Sequence, residues 1–112
     1  MRIAFTSKGT NWDSMIDPRF GRTEFLLVYD EDKDELLHFD NRAIENEAHG
    51  AGPKTAQKLF ELKADVLITG NGPGGNAATA LEKTGLRIYI GAGDITVRAA
   101  LEAYKKNDLV EQ

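Results

Sequence analysis

Two guanidinium groups stand three positions apart in Asp17-Pro18-Arg19-Phe20-Gly21-Arg22. Arginine carries a planar fork of N–H donors, so a pair of them can grip an oxyanion. A plainer use is pairing with Asp13 or Asp17 inside the same loop. A second segment, Thr69-Gly70-Asn71-Gly72-Pro73-Gly74-Gly75-Asn76-Ala77, places Gly70, Gly72 and Gly75 at the spacing G-x-G-x-x-G. Glycines let a backbone come close to an anion, and the N–H groups of a helix start point at it. Either an anion or cluster site or a tight strand-to-helix turn would use these glycines. A dinucleotide site is the weaker reading. Pro73 removes one N–H donor, a second mononucleotide half has no room, and the Lys-Ser/Thr pair of a P-loop is missing. A third glycine segment, Gly91-Ala92-Gly93-Asp94, leads into the last helix, with Asp94 expected as its N-cap.

The chain has two histidines. His49, in Ala48-His49-Gly50-Ala51-Gly52, is a candidate metal or cluster ligand because neutral imidazole binds many metals. One imidazole holds a metal stably only if carboxylates or the ligand itself supply further donors. His38, between Leu37 and Phe39, is expected as a half-buried strand residue. Trp12 is either a stacking contact or an anchor for its loop, and the anchor is favoured. Conventional catalysis finds little support. Ser7 and Ser14 lie outside any G-x-S-x-G elbow. No pair of carboxylates falls at the carboxyl ends of neighbouring strands, as a two-metal nuclease would need. A non-catalytic role is therefore favoured, with an enzyme left open.

These segments must be positioned by elements that the apolar pattern reveals. Arg2–Thr6 reads as a strand, and the polar loop from Ser7 to Arg22 follows it. A connection of that length in a compact domain is usually functional or disordered. Phe25–Tyr29 is a short, continuous apolar run of strand length. Leu36–Phe39 should pair with it antiparallel across Asp30–Glu35, where five of six residues are acids. That run is read as a solvated turn, since it lacks the spaced ligands of an EF-hand loop. Pro53–Leu62 reads as an amphipathic helix, Val66–Ile68 as a strand, and Ala77, Ala80, Leu81 and Thr84 as one face of a second helix. Arg87–Ile90 is a strand. Val97, Ala100, Leu101 and Tyr104 mark a third helix, which runs into a polar tail near Asn107.

The order β-β-β-α-β-α-β-α implies an α/β fold of three layers, a mixed five-stranded sheet with helices on both faces. Such sheets bind ligands beyond the carboxyl ends of their parallel strands. The loops after the first, fourth and fifth strands are those described above. Two glycine-rich helix starts would then converge on one edge.

Composition sets the outer bounds. The 112 residues fit a single domain, residues 1–112. The absence of cysteine excludes disulfides, thiol nucleophiles and thiolate-held clusters. A net charge of −4 gives no reason to expect nucleic acid. No segment is long and apolar enough for a membrane span or a signal-peptide core, so the cytoplasm is the default location.

Taken together, Asp17–Arg22, His49–Gly52, Asp65–Gly70 with Asn76-Ala77, and Gly91–Gly93 with Ala100-Leu101 resemble the dinitrogenase iron–molybdenum cofactor biosynthesis family. This is the small domain shared by NifX-type carriers and the C-terminal part of NifB-type proteins. The resemblance runs over roughly residues 1–108 and rests on order and spacing more than on any single motif. It implies a ribonuclease-H-like fold and a non-catalytic carrier or scaffold. The cargo would be an anionic metal–sulfur cluster or its precursor, containing iron–sulfur or molybdenum and held transiently. On that reading His49 bonds the metal directly. Arg19, Arg22 and the backbone of Gly70, Gly72, Gly74, Gly75 and Asn76 neutralise its charge. The implied partners are cluster-assembly proteins, without nucleic acid or membrane, and the chain is a monomer or weak homodimer. The alternative is a small enzyme or sensor that takes a phosphorylated or nucleotide ligand at the same glycine loops.

Overall fold

Along the central strands, alternate residues feed two different cores. This two-residue period shapes the computed structural model, which describes residues 1–45 and 51–112, without the side chains of Ile44, Glu45 and Asn76. In β1 (Arg2–Ser7), Ala4 faces one core while Ile3 and Phe5 face the other. β2 (Phe25–Asp30) sends Leu26 and Val28 to the first and Leu27 to the second. β4 (Val66–Ile68) does the same with Leu67 against Val66 and Ile68. The first core is closed by Ala56 and Leu59 of α2 (Ala51–Glu61) and by Ala77 and Leu81 of α3 (Gly75–Lys83). The second is closed by Val97 and Ala100 of α4 (Val97–Lys105). Helices thus cover both faces of the sheet, as expected.

The strand order is β3-β2-β1-β4-β5-β6, where β3 is Glu35–Asp40, β5 is Arg87–Ile90 and β6 is Val110–Glu111. β1 pairs antiparallel with β2 and parallel with β4, and β4 pairs parallel with β5. Ala4, Leu67 and Ile88 lie abreast in these pairings.

Two elements depart from expectation. Among the described residues the sheet has six strands, not five, because the polar tail turns back and pairs antiparallel with β5. Two residues among acids and amides carry no periodic signal. An ion pair from Glu111 to Arg87 on the adjoining β5 helps hold them. A four-residue helix, α1 (Arg42–Glu45), also precedes α2. It starts where the Asp40 carboxylate accepts the Arg42 N–H at 2.9 Å. His38 is exposed rather than half-buried, because β3 is the outermost strand.

Candidate functional site

The long connection after β1 is an ordered arm. Asp17 N–H donates to the Thr6 carbonyl at 2.9 Å and Lys8 N–H to the Met15 carbonyl at 3.0 Å, folding the arm back along β1. Trp12 pins it to the second core. Its ring meets Tyr29 edge-on at 5.1 Å and Phe5 at 6.4 Å between centroids, so the anchor reading holds. Arg98 lies over the same ring and also pairs with Asp13 at 3.6 Å.

Asp17 is fully buried at the turn of this arm. Arg19 grips it with two parallel bonds, Nε to Oδ1 at 3.0 Å and Nη2 to Oδ2 at 2.9 Å. The backbone N–H groups of Arg19 and Glu24 donate to the same carboxylate at 3.0 and 3.2 Å. Burial pushes the Asp17 carboxyl up, but the Arg19 guanidinium and these N–H groups outweigh it and hold the pKa below the usual value. Arg19 is therefore paired with Asp17, and its side chain stays half-exposed. Arg22 is exposed.

Three loops close on one point. A Cβ on Gly70 would come within 2.6 Å of Pro18 Cα and 3.1 Å of Gly93 Cα, so only glycine admits this crossing. Asn71 N–H donates to the Pro18 carbonyl at 2.9 Å, and Gly91 N–H to the Gly70 carbonyl at 3.0 Å. Beneath them the hydroxyls of Thr6 and Thr69 share a hydrogen bond at 2.7 Å, and Thr6 Oγ1 donates to the Asp17 carbonyl. On the other side Gly21 backs onto the backbone of Ala51 and Gly52, where α2 begins. Asn41 Nδ2 and Thr55 Oγ1 both donate to the Gly21 carbonyl, at 3.4 and 2.8 Å. The loops after β1, β4 and β5 thus meet at the carboxyl edge of the parallel strands.

The starts of α3 and α4 at this edge are not equivalent. Asp94 does not cap α4. Thr96 does, with Oγ1 accepting the Ala99 N–H at 3.1 Å. The preceding N–H groups are consumed by the arm, Val97 donating to the Ser14 carbonyl at 2.9 Å and Arg98 to that of Trp12 at 3.0 Å. The start of α4 is therefore a structural joint and not an anion site. The start of α3 differs. Gly74 occupies its N-cap with no side-chain bond, and its first turn holds no acid. Gly74 and Gly75 are exposed, and a Cβ on either would meet nothing within 4 Å. An uncapped helix start with its positive dipole end in open space suits an anion.

Of the expected site residues, Arg19, Gly70, Gly72, Gly74 and Gly75 lie on the loops that converge here. Arg22 follows Gly21 at the α2 contact. His49 lies outside the described residues, although Ala51 and Gly52, just after it in sequence, border the site. For Asn76 the backbone alone is described, in the first turn of α3. Among the described residues no group of three or more His, Asp and Glu side chains could hold a metal ion. Sequence reasoning offered Asp13 or Asp17 as the partner of these arginines, and the structure pairs Arg19 with Asp17. The local spacing Asp-x-Arg was the available signal.

The geometry defines an α/β domain whose parallel strands end at a glycine-lined edge flanked by arginines. The chain belongs to the dinitrogenase iron-molybdenum cofactor family, whose model matches residues 1–107. Among solved structures it is similar to the apo form of the orange protein from Desulfovibrio gigas. The two are 34% identical with a TM-score of 0.92, over 99% of this chain and 92% of that one. It is also similar to a candidate NifB protein from Thermotoga, of the DUF35 family. There the identity is 34% and the TM-score 0.83, over 98% of this chain and 91% of that one. No curated protein matches the chain.

Proposed function

We propose that this protein is a non-catalytic carrier or scaffold for an anionic metal–sulfur cluster or its precursor, bound where β1, β4 and β5 end. The observation that carries this reading is the uncapped, open start of α3 on a loop locked against the arginine-bearing arm. Arg19, Arg22 and the backbone of Gly70–Asn76 would neutralise the cargo, and His49 would bond its metal. The chain has no cysteine, so sulfur arrives with the cargo. Attachment through imidazole, charge and N–H groups is weak and reversible, as delivery requires. The strand order supports the ribonuclease-H-like reading of the fold. The protein would act as one domain, residues 1–112, in the cytoplasm, as a monomer or weak homodimer. Cluster-assembly proteins would be its partners, in keeping with its family. A net charge of −4 disfavours nucleic acid, and among the described residues no helix is long and apolar enough to cross a membrane.

Anaerobic thermal melts test this reading, since a ligand that binds only the folded state stabilises it, by about 2.7 kcal/mol at a hundredfold excess over Kd. Tetrathiomolybdate, a simple soluble molybdenum–sulfur dianion, is expected to raise Tm, less so in His49→Ala. A nucleotide panel is expected to leave it flat. Stabilisation by nucleotides alone would transfer the site to a phosphorylated ligand.

A further inference from the structure

The residues after 107, beyond the family match, reach back to the glycine loop. β6 lies on β5 with Ile90 opposite Val110 and Tyr89 opposite Glu111. Arg87 grips the Glu111 carboxylate through both oxygens, Nε to Oε2 at 3.1 Å and Nη2 to Oε1 at 2.9 Å. Gln112 N–H donates to the Ile88 carbonyl at 2.8 Å. These bonds fix the backbone of Gln112 and place its side chain against the loop. Nε2 donates to the Pro73 carbonyl at 3.1 Å, and the carboxamide fills the space that a Cβ on Gly72 would need.

The loop is therefore held at two points, Asn71 by the Pro18 carbonyl and Pro73 by Gln112. Gly72 between them has φ +80° and Gly75 has φ +42°, conformations that a free glycine segment leaves readily. Ordering such a segment on binding costs affinity, and holding it beforehand removes part of that cost.

We propose that Gln112, carried by β6, is a positioning residue for the anion-binding loop Gly70–Gly75: by holding Pro73 it pre-forms the α3 start for cargo. This rests on the carrier function proposed above. It is tested in the full chain with Gln112→Ala and Gln112→Glu. The first removes the donor, and the second removes it while adding a negative charge. Thr96→Ala, which weakens the α4 cap and leaves the loop untouched, is the stability control. Amide hydrogen exchange without ligand should quicken several-fold at Asn71 and Ala77, whose N–H groups donate to the Pro18 and Gly74 carbonyls, in Gln112→Ala and not in Thr96→Ala. Tetrathiomolybdate affinity should fall about three- to tenfold in Gln112→Ala, the range expected for loss of one hydrogen bond. It should fall further in Gln112→Glu and stay unchanged in Thr96→Ala. Unchanged loop exchange overturns the proposal, as does faster exchange with wild-type affinity. If the wild type takes up no tetrathiomolybdate, the carrier reading fails on its own, while the exchange rates still decide whether Gln112 holds the loop.

Discussion

Asp17 and Gly70 show how single residues set this site. Asp17 is a buried carboxylate whose hydrogen bonds come from one guanidinium and two backbone N–H groups. Its folded pKa lies below the ordinary 3.8, so its stabilising contribution is complete above that value and is lost as pH falls through the folded one. Asp17→Asn is expected to cost about 2 kcal/mol at neutral pH, because it weakens buried, charge-assisted bonds. It should also flatten the acid limb of the stability profile. Denaturant melts at pH 7 and pH 3 check both, and an acid limb as steep as the wild type's would contradict the assignment. Gly70→Ala forces a methyl against Pro18 and Gly93, and overpacking of this kind costs about 1–3 kcal/mol. Its Tm should fall, and tetrathiomolybdate uptake should fall more than stability alone explains. At this scale the sequence marks the arginines and glycines as candidate anion contacts, because guanidinium donors and a missing Cβ belong to the residue types themselves. The grip of Asp17 on Arg19 was one of two pairings open to a sequence reader, since burial of the carboxylate comes from the surrounding fold. The exposure of His38 likewise depends on β3 having no outer neighbour in the sheet among the described residues.

At the scale of elements, α3 and α4 differ in whether their first N–H groups are already bonded by other parts of the chain. Both follow glycine-rich segments, and sequence alone ranks them together. The structure separates them because Ser14 and Trp12, far away in the chain, take the N–H groups of Val97 and Arg98. Asp94 was the nearer capping candidate by position, but the helix begins two residues later and uses Thr96. Thr96→Ala is therefore expected to cost about 1 kcal/mol of stability, the usual worth of a side-chain cap, with Thr96→Ser close to neutral. Urea melts measure that cost. A loss of tetrathiomolybdate affinity in Thr96→Ala at a temperature where it stays folded would return α4 to the site. Strands β1 to β5 were readable because apolar residues alternate or run continuously along them. β6 was not, since a two-residue strand is set by its partner and not by its own pattern.

Across the whole molecule, the lack of cysteine and the edge geometry point the same way. An acidic chain of 112 residues concentrates two arginines and an uncapped helix start on one rim of its sheet. The architecture followed from the order of elements, and the family from the order of its short motifs. Which rim groups remain available to a ligand came only from the hydrogen bonds of the folded chain. The most direct measurement is anaerobic gel filtration after incubation with tetrathiomolybdate, with elemental analysis of the protein peak for Mo, Fe, Cu and S and molybdate as the sulfur-free control. Molybdenum and sulfur should travel with the protein in the first case, and in a smaller amount for Arg19→Ala and His49→Ala, while molybdate elutes separately. A protein peak free of metal and sulfur under these conditions would contradict the carrier function.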